Sequence, residues 1–399
     1  MLTKIITPYK GLSKEVWFLA LTTLINRAGA MVIPFLSLYL TKYLDFTLSQ
    51  VGWIMTFYGL GSVLGVYLGG KLTDKIGYYK VMYFSLFLTG LAFLFLQYLT
   101  TFYTICAGVF MLTVVADAFR PALWVALADY SKEENRTRSV TLIRLAINLG
   151  FSMGPAIGGL IIASLSYRGL FWVDGITCII ATFIIVKYLY QKDTSKEMEK
   201  ESLKPKQSPY RDSEFLIFWF AMFLIGFTFM QYFSTLPLYY SQNIDMSEQQ
   251  IGLLLAMNGL IIFLTEMPIV HNLEKRKIPG LKIVIVGVFL LAISFFVLNI
   301  SSWIGIVIIG MLFMTFGEIL GFPFSNSYAL DRAERGNKGE YMAMYSMTFS
   351  VAHILGPNIG MQLSDKYGFS FTWIVMGTLL LLSCSLLFWL NRIKQKQKN

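Results

Sequence analysis

Five ionisable side chains lie near the middles of long apolar runs: Arg27, Asp117, Arg120, Glu318 and His353. A charge held away from water is expensive, so each is a functional candidate by default. Asp117 and Arg120 stand three residues apart and can pair on one helix face. Their alternative role is a neutral structural pair. Glu318 has no basic residue within a helical turn. A carboxyl group kept from water holds its proton more firmly, so Glu318 is expected to carry a proton, with Asp117 and His353 as further proton-coupling candidates. The alternatives are a permanently protonated, hydrogen-bonded Glu318 and a His353 satisfied in the core. Asp174, nearer the end of its run, is expected to pair Arg168 or to cap a helix end.

Other chemistry finds little support. Gly150-Phe-Ser152-Met-Gly154 has the spacing of a hydrolase nucleophile elbow, but that motif needs a strand-turn-helix setting and a histidine partner. Here it falls inside an apolar run. With only His271 and His353, and no HExxH, paired-cysteine or P-loop pattern, the expectation is a protein that is no enzyme and holds no metal or cofactor. Cys106, Cys178 and Cys384 all fall in apolar runs and read as small core hydrophobes.

The elements that must position these groups follow from composition. Of the 399 residues 56% are hydrophobic and only 14% charged, with a mean hydropathy of +0.60. A soluble domain is about 25% charged. So few charges cannot cover a water-facing surface, and the chain reads as an all-α membrane protein. Runs of about 20 apolar residues recur twelve times, near 15–40, 49–70, 81–99, 103–129, 139–164, 170–190, 214–241, 249–270, 281–299, 302–330, 340–363 and 370–391. With the N-terminus in the cytoplasm, 27 of the 33 Lys and Arg fall on the cytoplasmic side. Lys42, Arg168 and Lys366 lie opposite, and Arg27, Arg120 and Arg144 lie within spans. This is a positive-inside pattern with both termini cytoplasmic. The net charge of +10 is thus a topology signal and an attraction for the lipid bilayer, with no nucleic acid implied.

The polar stretch 191–213 reads as a charged linker with a short interfacial helix. It separates six spans in 1–190 from six in 214–399. Tyr39, Asp45, Gly52 and Gly59 recur 200 residues later as Tyr239, Asp245, Gly252 and Gly259. Lys80, Pro121, Asp129 and Pro155 recur 202 residues later as Lys282, Pro323, Asp331 and Pro357. Six helices have been duplicated in one membrane orientation, and parallel six-helix repeats place a substrate site between the halves.

Gly70-Lys-Leu-Thr-Asp74-Lys75-Ile-Gly77-Tyr-Tyr-Lys80, between spans 2 and 3, resembles the signature loop of the major facilitator superfamily. Gly150-Phe-Ser-Met-Gly154-Pro155-Ala-Ile-Gly158-Gly159, in span 5, resembles its antiporter motif. The subfamily it looks most like is the drug/proton antiporter branch. The resemblance implies that Asp74 sits against the N-terminus of span 11, near Gly339, where the macrodipole favours an anion. Basic residues of the loop would pair Asp129, so that Gly70, Asp74, Gly77, Lys80 and Asp129 form a cytoplasmic latch. Glu274, with Lys275, Arg276 and Lys282 nearby, is a degraded second copy. In the family, spans 1, 4, 7 and 10 line a central cavity, which implies that Asn26, Arg27, Tyr58, Arg120, Gln231 and Tyr232 line it here. Arg27 and Arg120 would make its first-half wall positive, attractive to an anionic or zwitterionic compound. Spans 2, 5, 8 and 11 form the interface where the halves rock, so Arg144 and Glu266, at matching depths on spans 5 and 8, are an expected gate pair. The alternative is that each snorkels to the interface separately.

The expected function is alternating-access transport in a bacterial-type inner membrane by a monomer, with proton-coupled efflux of a small amphipathic compound foremost. Proton-coupled uptake of a peptide or other nutrient, and a non-transporting sensor or lipid-handling protein on the same fold, are the other readings.

Overall fold

The computed structural model describes residues 9–28, 31–32, 35–36, 39–40, 43–46, 48–191, 207–246 and 248–396. The interfacial helix expected in the linker falls on residues outside this set. The chain forms two compact units. One comprises Gly11–Ser208 and Ala333–Met347. The other comprises Pro209–Arg332 and Thr348–Asn399, with Tyr9 and Lys10. The chain changes unit between Ser208 and Pro209, and the segment 333–347 belongs with the first unit.

The first unit contains α1 (Lys14–Ala28), α2 (Leu48–Ile76), α3 (Tyr78–Leu96), α4 (Phe102–Asp117), α5 (Phe119–Tyr130), α6 (Arg136–Leu165) and α7 (Tyr167–Tyr188). A single residue, Gly77, separates α2 from α3, and its φ of 88° is open to glycine at no steric cost. Between α4 and α5 the helix breaks at Ala118. Pro121 causes this, because it offers no N–H to the carbonyl of Asp117 and its ring crowds that carbonyl.

The second unit contains α8 (Ser213–Phe229), α9 (Thr235–Asn243), α10 (Glu248–Lys275), α11 (Gly280–Val297) and α12 (Ile304–Ala333). A 3₁₀ turn at Met230–Phe233 links α8 to α9, where Pro237 withholds its amide from the carbonyl of Phe233. The long α13 (Lys338–Lys396) begins in the first unit, enters the second, and folds over at Gly368, φ 82°.

Among the described residues nine helical stretches are long and apolar enough to cross a membrane. The last holds two passes joined at Gly368. The two remaining expected spans fall on α6 and on α1 with the helical residues Val32, Phe35, Leu36, Tyr39 and Leu40. The duplication survives in fine detail: Asp45 and Asp245 both adopt positive φ, 55° and 56°, and the amides of Phe46 and Met246 bond back to the carbonyls of Leu40 and Tyr240.

Candidate functional site

A polar cavity of about 70 Å³ lies inside the first unit, roomy enough for on the order of five waters. Asn26 and Arg27 reach it from the end of α1, Tyr58 from α2, Thr89 from α3, and Thr113 and Asp117 from α4. Close packing sets their registry. A Cβ on Gly65 of α2 would lie 2.9 Å from the carbonyl oxygen of Thr113, so α2 and α4 touch backbone to backbone. The break after Asp117 turns Arg120 back toward that carboxylate, whose Oδ1 accepts from Arg120 Nε at 2.9 Å. Arg27 lies over the Phe151 ring, 5.4 Å from its centroid.

Among the described residues two polar atoms here are buried without a hydrogen-bond partner: Asp117 Oδ2 and Arg27 Nε. Leaving such a group unsatisfied costs roughly 1–3 kcal/mol, more when it is charged. The cavity is therefore a place where a polar ligand group or water is gained rather than displaced. Asp117 Oδ2 is open to a further hydrogen-bond donor while Oδ1 keeps its arginine. Two arginines against one carboxylate leave the wall with a surplus positive charge.

Of the residues expected to line a cavity, the structure brings Asn26, Arg27 and Tyr58 together, with Arg120 bonded to the lining Asp117. Gln231 and Tyr232 go elsewhere, fully buried in helix packing. Gln231 Nε2 donates to the Gly356 carbonyl of α13 at 2.8 Å, and its Oε1 accepts from Thr235 at 2.6 Å. Tyr232 bonds the Ser294 hydroxyl. Their polar capacity is spent on joining the α8–α9 turn to its neighbours. Glu318 is buried midway along α12. His353 is exposed on α13, its Nδ1 3.2 Å from Met230 Sδ, rather than enclosed in a core.

The antiporter-motif glycines Gly150 and Gly158 face the first span. A Cβ on Gly150 would lie 2.5 Å from Arg27 Cβ, and one on Gly158 2.7 Å from the Phe35 ring. Gly154 is buried on the same face. Pro155 and Gly159 belong to the same helix, though their side-chain surroundings lie outside the described residues. The motif thus seats the arginine of the cavity. The second half repeats the arrangement, with Gly356 against Phe227 and Met230 and Gly360 against Gln231. Arg144 is half-buried in α6 of the first unit. Glu266 is fully buried in α10 of the second, two residues before Pro268.

Gly70 and Asp74, expected in a loop, belong to the last turns of α2 in the first unit. Asp74 accepts the amide of Gly339 on Oδ1 at 2.7 Å and that of Glu340 on Oδ2 at 2.8 Å. These are orphan donors of the first turn of α13, so the carboxylate caps that helix and meets its dipole. Gly70 allows the approach: a Cβ there would sit 2.6 Å from the Gly339 carbonyl oxygen. Asp129 has Lys338 of α13 at 3.6 Å, and Lys80 is exposed. Arg136 adds a bond to Glu334 at 2.7 Å. Asp74→Asn turns one acceptor into a donor facing an amide, a loss of about 1.4 kcal/mol within the usual range for such caps. Hydrogen exchange at Gly339 and Glu340 should then quicken roughly tenfold. Mass spectrometry of the peptide over 336–345 reads this directly, and an unchanged rate rules out the cap.

Thr89, Thr113 and the backbone partners of Asp174 were not expected from the sequence. For the threonines the one available signal was a small hydroxyl in an apolar span.

The family model of the Major Facilitator Superfamily matches residues 16–357 and 282–399. A Na(+), Li(+), K(+)/H(+) antiporter of Planococcus maritimus is 22% identical, over 93% of this chain and 94% of its own. Multidrug resistance protein 2 of Bacillus subtilis is 23% identical, over 87% and 88%. Among solved structures, the fucose:proton symporter of E. coli superposes with a TM-score of 0.72 at 12% identity, covering 94% of this chain and 98% of that one. The chain belongs to the major facilitator superfamily and is a multi-pass membrane transporter.

Proposed function

We propose that the protein couples proton entry to the export of a small amphipathic compound, with both termini in the cytoplasm. The observation that carries this reading is the cavity lined by Arg27 and Asp117, with Arg120 paired to Asp117 and, among the described residues, two buried polar atoms without a hydrogen-bond partner. Such an arrangement binds a polar group inside an otherwise apolar bundle, and it holds a carboxylate that can exchange a proton. The antiporter and the multidrug resistance protein among its relatives favour exchange against protons and an amphipathic cargo.

One observation favours a second reading, proton-coupled uptake. Among the described residues lining the cavity Asp117 is the one carboxylate, and its protonation would leave two arginines to hold an anion. Proton and anion would then bind together, which is the sign of cotransport. The fold is compatible with either direction.

Purified protein in liposomes with an imposed proton gradient separates the readings. Efflux predicts that a compound added to the vesicles moves against the proton and dissipates the gradient. Inward movement of the compound with the proton supports uptake. Compounds that bind without any proton flux, across a broad panel, would overturn both.

A further inference from the structure

Asp174 is fully buried, the eighth residue of α7, and neither the cavity nor the latch uses it. Its Oδ1 accepts the amide of Met31 at 2.9 Å, and its Oδ2 accepts those of Val32 at 2.7 Å and Met31 at 3.0 Å. These amides lie where the first span is interrupted. Among the described residues of this span Met31 is not helical, whereas Ala28 and Val32 are. A restarting helix leaves its first amides without intrahelical acceptors. Here a carboxylate from another helix does the work of an N-cap side chain. The expected partner, Arg168, is instead turned over the Tyr43 ring, 5.9 Å from its centroid.

Among the described residues no ion pair reaches Asp174. The elements packed on α7 are α1, α3 and α6. On the first span the ionisable groups on either side of the break are Arg27, which lies over Phe151, and Tyr39. On α7 itself they are Tyr167, Arg168, Cys178, Lys187 and Tyr188. Residues 84–96 of α3 and 145–165 of α6 contain none. A buried carboxylate without a counter-ion is unfavourable inside a membrane protein even when two amides bond it.

We infer that Asp174 is a proton-binding site of the first bundle, ionised while it caps the break in the first span and protonated when that cap opens. The proton adds to one carboxylate oxygen. A neutral carboxyl group keeps one good acceptor where two amides need one each, so an amide at Met31 or Val32 loses its partner and the break loosens. Cys178, one turn along α7 from Asp174, accepts from Asn26 Nδ2 at 3.4 Å, and Asn26 lines the cavity. Protonation at Asp174 is thereby tied to the position of Asn26 and Arg27. The use of this site in transport rests on the proton-coupled reading above, whereas its titration stands apart from that reading.

The test uses full-length protein in lipid nanodiscs. Infrared difference titration should show a carboxylic-acid carbonyl band growing on acidification, with one component lost in Asp174→Asn. Over the same pH change, hydrogen exchange at Met31 and Val32, corrected for intrinsic rates, should rise at least tenfold in the wild type and stay flat in the variant. Asp174→Glu keeps a titrating group should the amide fail to fold, and it should move the transition to a different pH. Identical band and exchange profiles in the wild type and either variant would overturn the site. Proton-coupled transport without this titration rejects the site and leaves the proposed function, while titration without proton flux rejects the function and leaves the site.

Discussion

Glu318→Gln is expected to collapse the proton-driven gradient of the transported compound while binding of that compound survives. Glutamine keeps the shape and hydrogen-bonding reach of the side chain but cannot take up a proton. One proton entering down about 100 mV releases roughly 2.3 kcal/mol, which sustains a gradient of roughly 50-fold, and that is the factor at stake. The setting of Glu318 gives the expectation its weight. It is buried midway along α12, one turn from Thr315, which accepts a hydrogen bond from Asn258 of α10 at 2.9 Å. The repeat offsets map Tyr58 onto Asn258 and Thr113 onto Thr315. Both halves therefore carry polar residues at the same station of the fold, with Asp117 four residues past Thr113 in the first and Glu318 three residues past Thr315 in the second. The measurement is accumulation in proteoliposomes, with compound exchange at equal pH as the control. A variant that still builds the full gradient removes Glu318 from coupling.

Fold and site were not equally legible in the sequence. The duplication could be read from spacing alone, because each half needs the same turns at the same stations, and the matched φ of Asp45 and Asp245 shows that the recurring aspartates mark recurring backbone. The Asp74 cap came with the family resemblance, and a helix start with orphan amides explains why a carboxylate stands there. Depth along a span could also be counted, which placed Arg27, Asp117 and Arg120 at one level. What counting cannot give is the direction in which a side chain points. Gln231 has the depth and polarity of a cavity residue, yet it is consumed by a helix break created by Pro237 and by a carbonyl 125 residues away. Asp174 looked like a partner for Arg168 because the two are neighbours in sequence, but its actual partners are amides 143 and 142 residues distant. Backbone donors leave no trace in residue type. The same limit applies to the glycines of span 5, whose spacing announces close packing but not that α1 is the helix packed upon.

Asp212→Ala should destabilise the second unit severely, by about 3–5 kcal/mol. Arg332, at the end of α12, is buried, and its guanidinium is held on two sides. Nε and Nη2 donate to the two oxygens of Asp212 at 2.6 and 2.5 Å, and Nη1 donates to Glu214 at 2.7 Å. Asp212 also caps α8 by accepting the amide of Phe215 at 3.1 Å. Removing it leaves a buried cation short of two acceptors and a helix without its cap, and unfolding of the second unit should move down by on the order of 10 °C. The first half offers an internal comparison. There Ser13 caps α1, accepting from Val16, and donates to the carbonyl of Tyr130, the repeat counterpart of Arg332. The same two elements are thus joined by one hydroxyl, and Ser13→Ala should cost only about 1 kcal/mol. The decisive variant is the double replacement Asp212→Leu with Arg332→Met. Exchanging a buried ion pair for apolar groups of similar volume is often neutral or stabilising, so the double variant should recover most of the loss except the cap and whatever Glu214 forfeits. If it melts as low as Asp212→Ala, the damage lies in the cap of α8 rather than in a stranded arginine.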